Sequence, residues 1–197
     1  MPRSSPLSAI IDSQSAPELY TRTAVALHWL IALLITCGFS LGAYMVDLHI
    51  SPLKVKLFNY HKWIGMTVLA LALIRLAWRV KHRPPPEVPM PRWQLHGSRI
   101  IHYLLYVLLI VTPLLGWLYT SAAGYPVVYL ELLPIPDLVH KNTALAKVLV
   151  QIHATLAWTL FWVVMLHIAA AIKHQFIDHD VTLRRMLTWR RPGSHGP

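Results

Sequence analysis

The sequence predicts an all-α membrane protein, a bundle of four transmembrane helices with both termini in the cytoplasm. Three observations carry that prediction. The 197-residue chain is 55% hydrophobic and only 13% charged, with a mean hydropathy of +0.47, far more apolar than a soluble domain of this size. It contains four apolar runs, at 24–46, 57–78, 100–119 and 148–172. At ~1.5 Å per residue each reaches ~30 Å, the thickness of the hydrocarbon core. Finally, the basic residues collect at alternate ends of these runs. Arg3 and Arg22 precede the first run, Arg79, Lys81, Arg83, Arg92 and Arg99 lie between the second and third, and Lys173, Arg184, Arg185, Arg190 and Arg191 follow the fourth. The positive-inside rule then places both termini and the second connection in the cytoplasm.

The net charge of +10 is thus distributed by membrane side, which argues against a nucleic-acid partner. Residues 1–21 are polar, lack the basic start and short apolar core of a signal peptide, and read as a flexible cytoplasmic tail. The first helix follows, its outer half lined by Gly38, Ser40, Gly42 and Ala43. Such small residues suit close helix packing and equally leave room for a flat cofactor. The stretch RPPPEVPMP, 83–91, reads as a stiff inner linker. Ser98 is a candidate cap for the third helix, and Pro113 a candidate kink. The longest outer connection, 121–147, contains Pro126, Pro134 and Pro136, and is the candidate lid over an outer site. The transmembrane domain spans 22–175, and 176–197 forms a basic cytoplasmic tail with a short surface helix expected near 183–189. Cys37 is the single cysteine, so an intrachain disulfide and a cysteine-held zinc or iron–sulfur site are excluded.

Four histidines lie inside the apolar runs: His28, His61, His153 and His167. An ionisable ring at membrane depth is costly and marks a functional site. Helix direction fixes depth. His28 begins an outward helix and His167 ends an inward one, so both lie near the cytoplasmic face. His61 and His153 both begin inward helices, so both lie near the periplasmic face. Residues 153 and 167 are two heptads apart, on one face of a supercoiled helix and ~21 Å apart along it. Paired imidazoles at two depths suit two haems, each iron held on both axial sides with no position left for oxygen. Such centres pass electrons. The four residues are read as the axial ligands of two haem irons.

Arg75 stands 14 residues after His61 and shares its face at the cytoplasmic depth. It either pairs with a haem propionate or snorkels to lipid headgroups. Lys62 and Lys173 flank the ligand depths in the same way. His102, at the start of the third helix, is a propionate contact, a quinone contact or an interfacial histidine. His174 and His179 lie close enough to the inner end of the last helix to border a site.

With these residues in place the chain resembles the bacterial cytochrome b561 family over about 20–187. The likeness rests on ALHWLIALLI, on YHKWIGMTVLALALIRLAWR, on IHYLLYVLLIVTPLLGWLYTSAAGYPV, and on QIHATLAWTLFWVVMLHIAAAIKHQFIDHD with its LHIAAAIKHQF ending. The resemblance implies a multi-pass diheme b cytochrome of the bacterial inner membrane, in contact with membrane lipid and a quinone, with the same four histidines as ligands. One branch of the family oxidises periplasmic superoxide and reduces ubiquinone. Lys54, Lys56, Lys62, Lys141 and Lys147 would attract that anion, with Asp47, Glu131 and Asp137 opposing them.

Electron transfer to ubiquinone, with superoxide as donor, is therefore the leading expectation, and a cytoplasmic pocket near His102, His174 or Asp178 would deliver protons. The alternative is a haem b subunit that anchors a protein electron donor and links it to quinone. A histidine-based metal transporter fits poorly, since the chain shows no repeats or broken helices and two-histidine sites lack further zinc ligands.

Overall fold

The computed structural model describes residues 19–187. The parts of the expected tails at 1–18 and 188–197 lie outside the described residues. Four long helices follow in order: α1 (Arg22–Val46), α2 (Pro52–Lys81), α3 (Arg92–Ala123) and α4 (Thr143–Phe176). A two-stranded hairpin, β1 (Val127–Tyr129) and β2 (Leu133–Ile135), lies between α3 and α4, and a single turn, α5 (Arg184–Leu187), closes the described chain. All four long helices are long and apolar enough to cross a membrane.

Three of the four helices, α1, α2 and α4, begin ahead of their apolar runs at polar caps. The Thr21 hydroxyl accepts from the Ala24 amide, Ser51 from Lys54 with Pro52 behind it, and the Asn142 side chain from Leu145. Each satisfies an amide that the first helical turn leaves unpaired. The start of α3 differs from expectation. The helix begins at Arg92 behind Pro91, with no side-chain cap, so Ser98 is interior. Proline's fixed φ suits a helix entry, and the Ser98 hydroxyl lies 3.3 Å from His102 Nδ1 instead. Pro113 sits inside α3. At its end Gly124 takes a left-handed φ of 77° that closes the helix.

Neighbours in sequence pack together, α1 on α2, α2 on α3 and α3 on α4. One core joins Ile31, Val68, Ala72 and Leu109, with Leu160 of α4 against it. A second, at the outer end, joins Ala122, Ala146 and Leu149. The backbones of α1 and α4 hardly approach each other. Aromatic rings occupy that seam, with Phe39 stacked on Phe161 at 4.7 Å between centroids and edge-on to Trp158 at 5.0 Å. Large apolar side chains such as Leu33, Ile74 and Trp162 point outward, as a lipid-facing surface requires.

The hairpin of the outer connection packs against α2. β1 and β2 pair antiparallel with Val128 opposite Pro134, and the hairpin is tied to α2 by Trp63 Nε1 donating to the Val128 carbonyl at 2.7 Å and Tyr129 Oη bonding Thr67 Oγ1 at 2.8 Å. At ~100° per residue Trp63 and Thr67 lie ~160° and ~120° around α2 from His61. The hairpin therefore braces the flank of α2 that faces away from the histidine.

Candidate cofactor-binding site

The structure brings the four intramembrane histidines together as two pairs. At the outer level His61 of α2 faces His153 of α4, with ring centroids 6.1 Å apart. At the level of the termini His28 of α1 faces His167 of α4 at 6.3 Å. The partners are those expected from helix direction and depth.

Two backbone carbonyls fix the outer pair. His61 Nδ1 lies 3.0 Å from the Gly38 oxygen, and His153 Nδ1 lies 2.9 Å from the Thr112 oxygen. A carbonyl only accepts, so each Nδ1 carries the proton and each Nε2 keeps its lone pair. That tautomer is the metal-binding form, and the carbonyl holds the ring at a set angle. Glycine allows the approach. A Cβ at Gly42 would stand 3.0 Å from His61 Cε1, and one at Gly116 would stand 3.0 Å from His153 Cε1. The small residues of α1 thus serve both purposes read from the sequence: Gly38 admits Ile64 of α2, and Gly42 admits the imidazole.

These residues fit a haem. A ligand nitrogen lies ~2 Å from a metal and the ring centroid ~1 Å beyond it, so two axial imidazoles need ~6 Å between centroids. Both pairs meet that spacing. The Thr112 hydroxyl, in the residue whose carbonyl holds His153, is buried without a protein partner, a polar atom left over beside the outer pair.

The inner level holds more than its pair. His102 of α3 lies 5.3 Å from His167 between centroids, and Trp29 stands edge-on to His28 at 5.3 Å. Arg75 reaches this level as its spacing from His61 implied. Its Nη1 donates to the Ala24 carbonyl, and its charge acts on His28, His102 and His167. The guanidinium is held inside the bundle by α1, which differs from a side chain snorkelling outward.

Below this level α4 ends in a polar knot. His174 Nδ1 bonds Asp180 Oδ2 at 2.7 Å and Asp178 Oδ2 at 3.2 Å, and Lys173 pairs with Asp178 at 2.6 Å. Burial works to raise the Asp180 carboxyl, but hydrogen bonds from Thr182 and His174 hold it below its ordinary value. Sequence reasoning passed over Asp180. Its signal was present, as a carboxylate two residues beyond Asp178 just past the end of α4. Lys173 serves this knot and does not face the paired histidines. His179 takes a left-handed φ of 53° in the same turn.

The outer lysines are partly committed. Lys54 Nζ donates to the Val46 and Leu48 carbonyls at the end of α1, and Lys62 Nζ donates to the Pro126 carbonyl. Lys56 lies over the Tyr60 ring.

A family model described as prokaryotic cytochrome b561 matches residues 19–189. "Cytochrome b561 homolog 2" of Escherichia coli (strain K12) is 34% identical over 176 residues, 88% of this chain and 93% of its own length. "Probable superoxide oxidase CybB" of Yersinia pestis is 27% identical over 183 residues, 87% of this chain and 97% of its own. "Cytochrome b562" of Cereibacter sphaeroides is 29% identical over 177 residues, 85% of this chain and 94% of its own.

Proposed function

The chain belongs to the prokaryotic cytochrome b561 family, and we propose that it carries electrons from a donor at its outer face to a membrane quinone at the face of its termini. Family membership makes it a transmembrane electron-transfer protein of the bacterial inner membrane, multi-pass, and implies b-type haem.

In the proposed reading His61 and His153 hold one haem b, and His28 and His167 hold a second. Bound there, haem would supply reversible one-electron exchange. The chain's own residues do the rest. The Gly38 and Thr112 carbonyls keep His61 and His153 in the ligating tautomer. Arg75 places a positive charge at the inner level. The aromatic seam of Phe39, Trp158 and Phe161 keeps the space between the two levels apolar. His174, bonded to Asp180, stands where α4 leaves the membrane and can pass protons from water to a quinone. In this reading that end and the α2–α3 linker face the cytoplasm, a side supported by the positive-inside distribution of lysine and arginine.

The donor in this reading is superoxide, the substrate class named for the Yersinia pestis relative, and the acceptor is ubiquinone. Two superoxide ions leave as two dioxygen molecules while one quinone takes up two electrons and two protons. Lysine charge at the outer face would draw the anion in, and Lys54 and Lys62 keep theirs while donating to main-chain oxygens.

The observation that carries the proposal is the pairing of four imidazoles at two levels, with α4 contributing to both. Stopped-flow mixing of the oxidised protein with superoxide tests it. Rapid reduction followed by reoxidation on adding ubiquinone is expected, and His61→Ala should abolish quinone reduction with the fold intact. Unchanged quinone reduction in that variant contradicts the order of transfer. A protein that ignores superoxide but co-purifies with a stoichiometric partner would instead take its electrons from that partner.

A further inference from the structure

At the end of the bundle that carries the termini, a cleft opens between the entry to α1, the end of α2 and α3. Three arginines line it. Arg75 and Arg79 lie one turn apart on α2, and Arg83 lies two residues beyond its last residue, Lys81. No carboxylate lines it among the described residues. Between Asp47 and Glu131 the sequence has one acidic residue, Glu87, and Arg99 holds both of its oxygens, at 3.1 and 2.8 Å.

The three arginines are not equivalent. Arg75 turns to the Ala24 carbonyl and the inner histidines. Arg79 lies 5.9 Å from the centre of the Tyr106 ring. Arg83 makes no hydrogen bond or ion pair among the described residues. The cleft's other wall is aromatic. Trp78 stacks on His82 at 3.9 Å and donates to the Thr21 hydroxyl at 3.0 Å, placing an indole at the membrane–water boundary, where such rings anchor a chain.

Guanidinium groups match phosphate oxygens in fork geometry, and basic pockets between transmembrane helices recognise anionic headgroups. We propose that this cleft binds the phosphodiester headgroup of an anionic phospholipid, held chiefly by Arg79 and Arg83. The position favours a lipid over free phosphate. The lining includes Leu19, Ala24 and Trp78, an apolar side along which acyl chains can leave into the bilayer and for which inorganic phosphate has no use. The electron-transfer reading is not needed for this site.

The test is native mass spectrometry of the full chain, purified in detergent and titrated with phosphatidylglycerol or with phosphatidylcholine of the same acyl chains. Wild-type protein should retain phosphatidylglycerol preferentially. Arg83→Gln, which removes a charge with no hydrogen bond or ion pair among the described residues, should weaken that retention about tenfold, and Arg79→Gln/Arg83→Gln should abolish the preference. Lys56→Gln, on the opposite face, should leave it unchanged. Equal retention of the two lipids by wild type would overturn the proposal, as would an unaltered preference in the double variant. Displacement of phosphatidylglycerol by inorganic phosphate at comparable concentration would assign the cleft to a free anion and overturn the lipid assignment. A melting curve for each variant separates loss of the site from loss of the fold.

Discussion

His153 Nδ1 donates to the main-chain oxygen of Thr112 at 2.9 Å, so the ring that α4 offers the outer level is oriented by α3. His61 is held in the same way by Gly38 of α1, at 3.0 Å. All four helices therefore meet at the outer pair, two supplying imidazoles and two supplying the carbonyls that fix their tautomers. No such carbonyl contact appears for His28 or His167 among the described residues, whose neighbours are Trp29, His102 and Arg75. The outer pair is thus the more preorganised of the two.

Gly42 should tolerate little. A Cβ there would stand 3.0 Å from His61 Cε1, so Gly42→Ala must displace the ring by a few tenths of an ångström, and Gly42→Leu must expel it. Haem titration of the apoprotein should show the outer site weakened in Gly42→Ala and absent in Gly42→Leu, with the inner site retained. An outer site unaffected by Gly42→Leu would mean that His61 does not point where the structure places it.

Arg75 should tune the inner centre. Its positive charge stabilises the more electron-rich state of a nearby redox group. Arg75→Gln should therefore lower the midpoint potential of the inner haem and leave the outer one nearly unmoved, as read by spectroelectrochemistry. Losing the charge-assisted bond to the Ala24 carbonyl should also cost stability of about 1.5–3 kcal/mol. Equal shifts at both centres would show that Arg75 acts on neither specifically.

Acid should release the segment after α4. This segment folds under α1, with Trp29 Nε1 donating to the Met186 carbonyl at 2.8 Å and Arg185 Nη1 to the Pro86 carbonyl at 2.7 Å. Asp180 anchors it, and its folded carboxyl lies below the ordinary value. A depressed folded pKa contributes stability in full above the unfolded value, about 4, and that contribution is lost as pH falls through the folded value. Trp29 fluorescence should therefore be flat from neutral pH down to about pH 4 and change below it. Asp180→Asn should show the released signal already at pH 7, with amide exchange in 177–187 faster by about tenfold. A variant indistinguishable from wild type at pH 7 would remove Asp180 from this role.

Much of the site was legible because polar side chains stand out in apolar runs. His28, His61, His153, His167 and Arg75 needed only helix direction and rise to be assigned a level, and the structure pairs His28 with His167 and His61 with His153, with Arg75 near the first pair. Rotation about the helix axis was less legible. His102 stands among Ile100, Ile101, Tyr103 and Leu104, so spacing alone did not say which helix it faces, and its approach to His167 waited on packing. Helix ends were read too short because apolarity marks the membrane, whereas Ser51 and Asn142 cap turns that continue into water. The hairpin was missed because its strands are three residues long and one holds Pro134, so proline marked a loop where the chain makes an edge pairing. The carbonyls of Gly38 and Thr112 have no sequence signature at all, since every residue offers one.

Haem b per chain, measured by pyridine haemochrome on wild type and on single histidine variants, tests the central claim most directly. Two haems are expected in wild type, one in His61→Ala or His153→Ala, the other one in His28→Ala or His167→Ala, and none in His28→Ala/His61→Ala. The same haem lost from variants of different pairs, or a wild type with no haem, would contradict the account.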